Sequence, residues 1–103
     1  MDKVEFGMRL AKIRTIKKIS AREMSISIGQ NHGYINSIET GRAYPSMEMF
    51  FVICDFLQIK PEDFFNVEIE HPHEYDILET YCKKLDEYQL ENIINLVKGL
   101  VEK

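Results

Sequence analysis

Long apolar runs and cysteines are both scarce in this sequence of 103 residues. The longest uninterrupted apolar run covers only residues 49–54, whereas a bilayer-crossing helix needs about 20 apolar residues, so no membrane span is expected. Only Cys54 and Cys82 are present, and each lies in an apolar helical pattern that favours a reduced thiol over a disulfide. The first five residues carry acids in place of the basic and apolar segments of a signal peptide, which predicts a cytoplasmic protein.

Motifs that accompany catalysis or cofactor binding are also missing. The chain contains no nucleophile elbow, Walker loop or glycine-rich fingerprint, so we predict no enzyme and no bound cofactor. His71 and His73 flank Pro72 and could be joined by Cys82 as metal ligands, but this spacing matches no standard zinc pattern. We interpret His71-Pro72-His73 as part of a solvated linker and predict no metal site.

The charges are unevenly distributed along the chain, although the net charge is only −4. Residues 1–48 hold eight bases against five acids, whereas residues 49–103 hold five bases against twelve acids. A basic first half and an acidic second half suggest a module that meets a polyanion on one side and another partner on the other. Ordinary scatter of charges explains the division equally well.

Capping signals predict three short helices in the first part of the chain. An Asp-x-x-Glu capping box beginning at Asp2 predicts a helix over about residues 3–17. A Ser-x-x-Glu box beginning at Ser20 opens a second helix of about two turns, which stops at Gly29, a residue suited to a left-handed C-terminus. Asn31 can cap a third short helix.

Proline and apolar periodicity define the helices that follow. Gly41 ends the third helix, and Pro45-Ser46 begins a fourth with a wide apolar stripe. Pro61 suits the first position of a fifth, and residues 67–72 form a connector without helical period. Beyond it, apolar spacing and a capping box at Asp86 predict a two-helix hairpin. We therefore expect an all-α fold, with a five-helix domain over residues 1–68 and the hairpin over residues 73–103.

The second and third predicted helices have the spacing of a helix-turn-helix. Two short helices can cross near a right angle only if a small residue allows close approach and the connecting turn can take a positive φ. Ser25 and Gly29 supply these properties, and four apolar residues are placed to fill the angle between the helices: Met24, Ile28, Ile35 and Ile38. This pattern favours DNA binding, although short helical corners also occur in all-helical enzymes and adaptors.

Three stretches of this region carry a family resemblance. They read Ile-Ser-Ala-Arg-Glu-Met-Ser-Ile-Ser-Ile-Gly from Ile19, Tyr-Ile-Asn-Ser-Ile-Glu-Thr-Gly-Arg from Tyr34, and Tyr-Pro-Ser from Tyr44. Over about residues 4–66 the sequence resembles the Xre-type helix-turn-helix family, the DNA-binding domains of lambda-like phage repressors and Cro. The resemblance implies a five-helix, lambda-repressor-like domain, bacterial or phage-encoded, whose third helix, at residues 32–40, lies in the major groove of double-stranded DNA.

The resemblance also implies a set of DNA contacts around the second and third helices. Side chains facing bases would be His, Asn and Ser, which can hydrogen-bond base edges, and a Tyr near the backbone or a thymine methyl. Gly33 suits either a close approach of the backbone to DNA or a flexible first turn. Phosphates would meet the capped helix start and two arginines. The full set is Ser20, Arg22, Asn31, His32, Gly33, Tyr34, Asn36, Ser37 and Arg42.

Two further positions are informative by comparison with the family. Ala21 stands where the family usually carries a Gln that touches DNA, so that contact is absent and its specificity does not transfer. Arg14 and Glu39 match a pair that joins the first and third helices by a salt bridge in the family, and we assign them to structure.

The last predicted helix carries a broad aliphatic stripe, named here the C-terminal stripe: Leu90, Ile93, Ile94, Val97, Leu100 and Val101. In a monomer this stripe would expose a large apolar surface to water, which predicts a homodimer. The alternative is that the helix folds back on the domain. The combined prediction is a sequence-specific transcriptional regulator, a dimeric repressor of a pseudo-palindromic operator. The alternatives are an antitoxin-type protein or an adaptor whose hairpin binds an antagonist, toxin or other partner protein.

Overall fold

The computed structural model describes residues 1–102 and contains helices but no strand within that range. This confirms the predicted all-α fold. No helix among the described residues is both long enough and apolar enough to cross a membrane. The helices are α1 Lys3–Ile16, α2 Ala21–Ser27, α3 Tyr34–Glu39, α4 Met47–Leu57, α5 Pro61–Phe64, α6 Pro72–Cys82 and α7 Glu87–Val101.

Most helices begin where local capping signals predict. The side chains of Asp2, Ser20 and Ser46 each accept a hydrogen bond from the backbone N–H three residues later, at 2.8–3.1 Å. Asp86 forms a complete capping box, because Gln89 Oε1 also accepts from the Asp86 backbone N–H at 3.1 Å. These signals act over three residues, so the sequence alone suffices to place them.

The start of α3 differs from the prediction. Asn31 does not cap this helix: its Oδ1 accepts from the Gly33 backbone N–H at 3.1 Å, two residues later, and Gly33 is the N-cap. The helix begins at Tyr34, so His32 and Gly33 precede it rather than forming its first turn.

The chain divides into two compact units, Met1–His73 and the residues from Glu74 onward. In the first unit, apolar side chains from α1 to α5 form one core: Phe6, Leu10, Ile13, Met24, Ile35, Ile38, Phe50, Ile53, Cys54, Leu57, Ile59 and Phe64. In the second unit, α6 and α7 follow one another across the turn at residues 83–86, and most apolar side chains of α7 are exposed.

A buried arginine joins α1 to the end of α5 and to the residues that follow it. Arg9 on α1 is 4% exposed, and its guanidinium donates four hydrogen bonds of 2.6–2.8 Å. The acceptors are the backbone carbonyl oxygens of Asp63, Phe64, Asn66 and Ile69. Burial lowers the pKa of Arg9, and the charge of Asp63 opposes that shift.

The segment predicted to be a solvated linker is ordered at its end. Pro72 is buried and begins α6, and His73 Nδ1 lies 3.0 Å from the backbone oxygen of Gln58. The interpretation of His71-Pro72-His73 as solvated is therefore wrong for Pro72. Among the described residues, no group of three or more His, Cys, Asp or Glu side chains could hold a metal ion.

Candidate nucleic-acid interface

α2 and α3 pack against each other across the turn that contains Gly29. This glycine has a φ of +80°, the left-handed conformation that its lack of a Cβ permits. Met24 and Ile35 are both 0% exposed and Ile38 is 2% exposed, so the angle between the two helices is filled by apolar side chains. The helix-turn-helix predicted from the residue spacing is present.

Ser25 makes the closest polar link between the two helices. Its side chain is fully buried, its Oγ donates to the backbone oxygen of Ala21 at 2.8 Å, and the same oxygen accepts from the backbone N–H of Ile35 at 2.9 Å. A small residue at this position was expected only to allow close approach. The hydroxyl in addition joins α2 to the first turn of α3.

The carboxyl end of α3 lies directly against α1. A Cβ added at Gly7 would lie 2.5 Å from the backbone oxygen of Ile38 and 2.6 Å from that of Glu39, distances that real Cβ atoms essentially never show. Gly41 then ends the helix with a φ of +80°, as predicted, and the Arg42 backbone N–H donates to the Ser37 oxygen at 3.1 Å. This hydrogen bond fixes the direction in which the backbone continues from α3 at Arg42.

A bidentate ion pair fixes the same end of α3. Arg14 Nε lies 2.7 Å from Glu39 Oε2, and Arg14 Nη2 lies 2.9 Å from Glu39 Oε1. Arg14 Nη1 also donates to the backbone oxygen of Ile19 at 2.7 Å. The hydrogen bond to Glu39 raises the pKa of Arg14, with burial opposing the shift. The prediction that this pair is structural agrees with its place between α1 and α3.

A match to a known family identifies the fold that contains α2 and α3. A family model described as helix-turn-helix, HTH_3, matches residues 10–64, which is more than half of the chain. The chain belongs to this family. The Xre-like, lambda-repressor-like resemblance is thereby confirmed, and the chain is a DNA-binding protein of the helix-turn-helix type. Searches of curated proteins and of solved structures found no match.

The predicted DNA-binding residues of this helix-turn-helix protein divide into two groups by exposure. The exposed ones are Ser20, Arg22, Asn31, His32, Asn36 and Arg42. Gly33, Tyr34 and Ser37 are half-buried, and burial raises the pKa of the Tyr34 phenol. Within α3, Asn36 is exposed while its neighbours Ile35 and Ile38 point into the core.

Three structural residues of the first unit escaped sequence reasoning. Arg9 was counted only as a base, Gly7 was not singled out, and Ser25 was assigned only a small volume. Their partners lie far along the chain or on another helix: the Arg9 acceptors are 54–60 residues away. A charged residue on an apolar helix face, three positions after Phe6, was the one available signal for Arg9.

Proposed function

We propose that this helix-turn-helix protein is a sequence-specific transcriptional regulator, a dimeric repressor that reads a pseudo-palindromic operator through α3. The observation that carries the proposal is the two-sided character of this six-residue helix. Ile35 and Ile38 anchor one side in the core at 0% and 2% exposure, while Asn36 stands exposed on the other. A rigidly anchored helix with polar groups on its outer face suits direct reading of base edges in the major groove.

The proposed contacts fall into two kinds. His32, Asn36 and Ser37 hydrogen-bond base edges, with the Gly33 backbone approaching the DNA closely and Tyr34 beside the backbone or a thymine methyl. The others position the protein on phosphates: Ser20, Arg22, Asn31 and Arg42. The two arginines are exposed and lie on either side of α3 in the sequence, which favours salt-dependent binding through counterion release.

Dimerisation is proposed through the C-terminal stripe of α7. Within this helix Leu90, Ile94 and Val97 are 38%, 48% and 47% exposed, and Leu100 and Val101 are 62% and 77% exposed. Such a row of aliphatic side chains is a typical subunit contact. A two-fold dimer would read half-sites about one DNA turn apart, roughly 34 Å.

Selection from random DNA tests the function directly. The full chain is incubated with a random duplex library at physiological salt, the retained DNA is sequenced, and the mass of the protein is measured on the same sample. We expect a two-fold symmetric site and a dimer mass. A protein that retains no preferred sequence would refute the regulator.

Matched asparagine variants test the assigned face of α3. Asn36→Ala should weaken operator binding by about 1–3 kcal/mol, the worth of a base-edge contact. Asn92→Ala makes the same change at an exposed position of α7 and should leave binding unchanged. Equal affinities of the two variants would show that Asn36 does not read DNA.

A second candidate function depends on the same C-terminal stripe. If the stripe holds a partner protein instead of a second copy, the chain would be an antitoxin-type or adaptor protein. The acidic balance of residues 49–103 favours a part that faces away from DNA and suits either role. Co-purification of the product of a neighbouring gene with the wild-type chain, lost in Ile94→Glu, would favour the partner; a homodimer lost in the same variant favours the repressor.

A further inference from the structure

The first turn of α3 has no cap of its own. Its N-cap is Gly33, which has no side chain to offer, and the helix is only six residues long. The first backbone N–H groups of a helix have no partner within it, and so short a helix is not stable alone. The Tyr34 N–H donates to the Asn31 backbone oxygen at 3.1 Å, which leaves the next amide, that of Ile35, to find a partner elsewhere.

That partner is the Ser25 hydroxyl on α2. Ser25 and Ile35 are both 0% exposed, so water cannot replace this hydrogen bond in the closed structure. Ser25 Oγ donates its proton to the Ala21 carbonyl oxygen, with 2.8 Å between the two oxygens. A lone pair of Oγ therefore remains to accept from the Ile35 N–H at 2.9 Å. The hydroxyl is thus an N-cap supplied by the neighbouring helix.

We propose that Ser25 is a positioning residue for DNA reading: its buried hydroxyl holds the first turn of α3 and through it the directions of Asn36 and Ser37. The proposal rests on the proposed function, since it concerns how α3 reads bases. Ser25 itself does not touch DNA. Its place in the core between α2 and α3 separates it from the exposed residues that do.

Removing the Ser25 hydroxyl leaves the buried Ile35 N–H without an acceptor. A buried donor without a partner is costly, so the first turn opens towards water in most of the molecules. Operator binding must then order this turn again, and the apparent affinity falls in proportion to the closed fraction. Non-specific binding depends on charges outside α3, chiefly Arg22 and Arg42, and is unaffected.

The test compares Ser25→Ala with two control variants in the full chain. Each is titrated with the selected operator and with a scrambled duplex, at a temperature at which circular dichroism shows full folding. Ser27→Ala makes the same change at an exposed position of α2, and Ile53→Val lowers stability from the core of α4. We expect the operator-to-scrambled affinity ratio to fall about tenfold in Ser25→Ala alone. Hydrogen exchange of the Ile35 amide should accelerate in the same variant.

Each other outcome overturns the proposal. A wild-type ratio in folded Ser25→Ala, or an equal fall in Ile53→Val, would show that Ser25 contributes only to stability. If Ser25→Ala does not fold, Ser25→Cys takes its place, because sulfur is a weaker acceptor of similar size, and an unchanged ratio there refutes the proposal. A wild-type chain without any preferred sequence would refute the proposed function, and this result is distinct from a selective wild type beside an equally selective Ser25→Ala.

Discussion

Replacing Arg9 with methionine tests whether a buried guanidinium holds the end of the five-helix unit in place. Methionine has a similar length but cannot donate a hydrogen bond. The change therefore removes four hydrogen bonds of 2.6–2.8 Å to carbonyl oxygens at the end of α5 and just after it, while keeping most of the buried volume. These bonds join α1 to residues 63–69 near the end of this unit.

The size of the effect depends on two opposing contributions. Hydrogen bonds from a charged donor contribute roughly 1.5–3 kcal/mol each, but three of the four lie in partly buried places where water can replace the donor. Only the bond from Nε to the Phe64 oxygen is buried. Burial also lowers the pKa of Arg9, which shows that the charged group loses hydration on folding. We therefore expect a net loss of about 3 kcal/mol rather than the sum of four bonds.

Urea unfolding followed by far-ultraviolet circular dichroism measures this loss. The control is Lys12→Met, which replaces another cationic side chain with methionine three residues further along α1. Lys12 also reaches the connector, but through an exposed ion pair with Glu70 at 3.3 Å, which contributes at most about 1 kcal/mol. A loss of about 3 kcal/mol would lower the melting temperature by roughly 10–20 °C for a unit of this size. Equal unfolding midpoints for the two variants would show that the buried Arg9 hydrogen bonds stabilise the fold no more than the exposed Lys12 ion pair does.

Three further predictions concern positions whose surroundings differ sharply. Gly7→Ala should cost about 2 kcal/mol or more because its Cβ meets the α3 backbone, whereas Gly99→Ala, with nothing within 4 Å, should stabilise α7 by up to about 1 kcal/mol; opposite shifts of the melting temperature check this pair. Glu39→Gln should lower the free energy of unfolding by about 3 kcal/mol, since Arg14 loses its charged partner, as the urea midpoint would show. Burial and the charge of Asp55 raise the pKa of Cys54 to about 12, so at about pH 8 its thiol stays protonated and alkylation should modify one cysteine in the folded chain and two after unfolding.

Local signals were sufficient for most helix boundaries. The Asp2, Ser20 and Asp86 caps and the left-handed glycines at positions 29 and 41 all act within one turn of the helix they limit, and the structure contains each of them. The predicted start of α3 was wrong because the contact that decides it is not local. The side chain that accepts from the Ile35 N–H is Ser25, ten positions earlier on another helix, whereas a pattern search along the chain assigns that task to the nearest polar residue, Asn31.

Long-range polar contacts were the part of the fold that sequence reasoning could not supply. Nothing in the residues around Arg9 indicates that its partners are carbonyl oxygens of residues 63–69, at the end of α5 and beyond it. The Arg14–Glu39 pair was expected only because a family resemblance named it. Physical patterning finds the apolar faces of helices, but it does not tell which charged residue is buried with its hydrogen bonds satisfied.

The position of α3, the helix proposed to read DNA, is therefore set mainly by residues that are not proposed to face DNA. α3 is too short to be stable alone, and α2 and α1 hold its two ends through Ser25, Gly7 and the Arg14–Glu39 pair. A substitution in this set is expected to change both the folding stability and the position of α3, whereas a substitution at exposed Asn36 is expected to change only DNA affinity. Loss of operator binding in a variant thus points to a base contact only when the variant is fully folded, is as stable as the wild type and keeps its scrambled-DNA affinity, because non-specific binding depends on phosphate contacts alone.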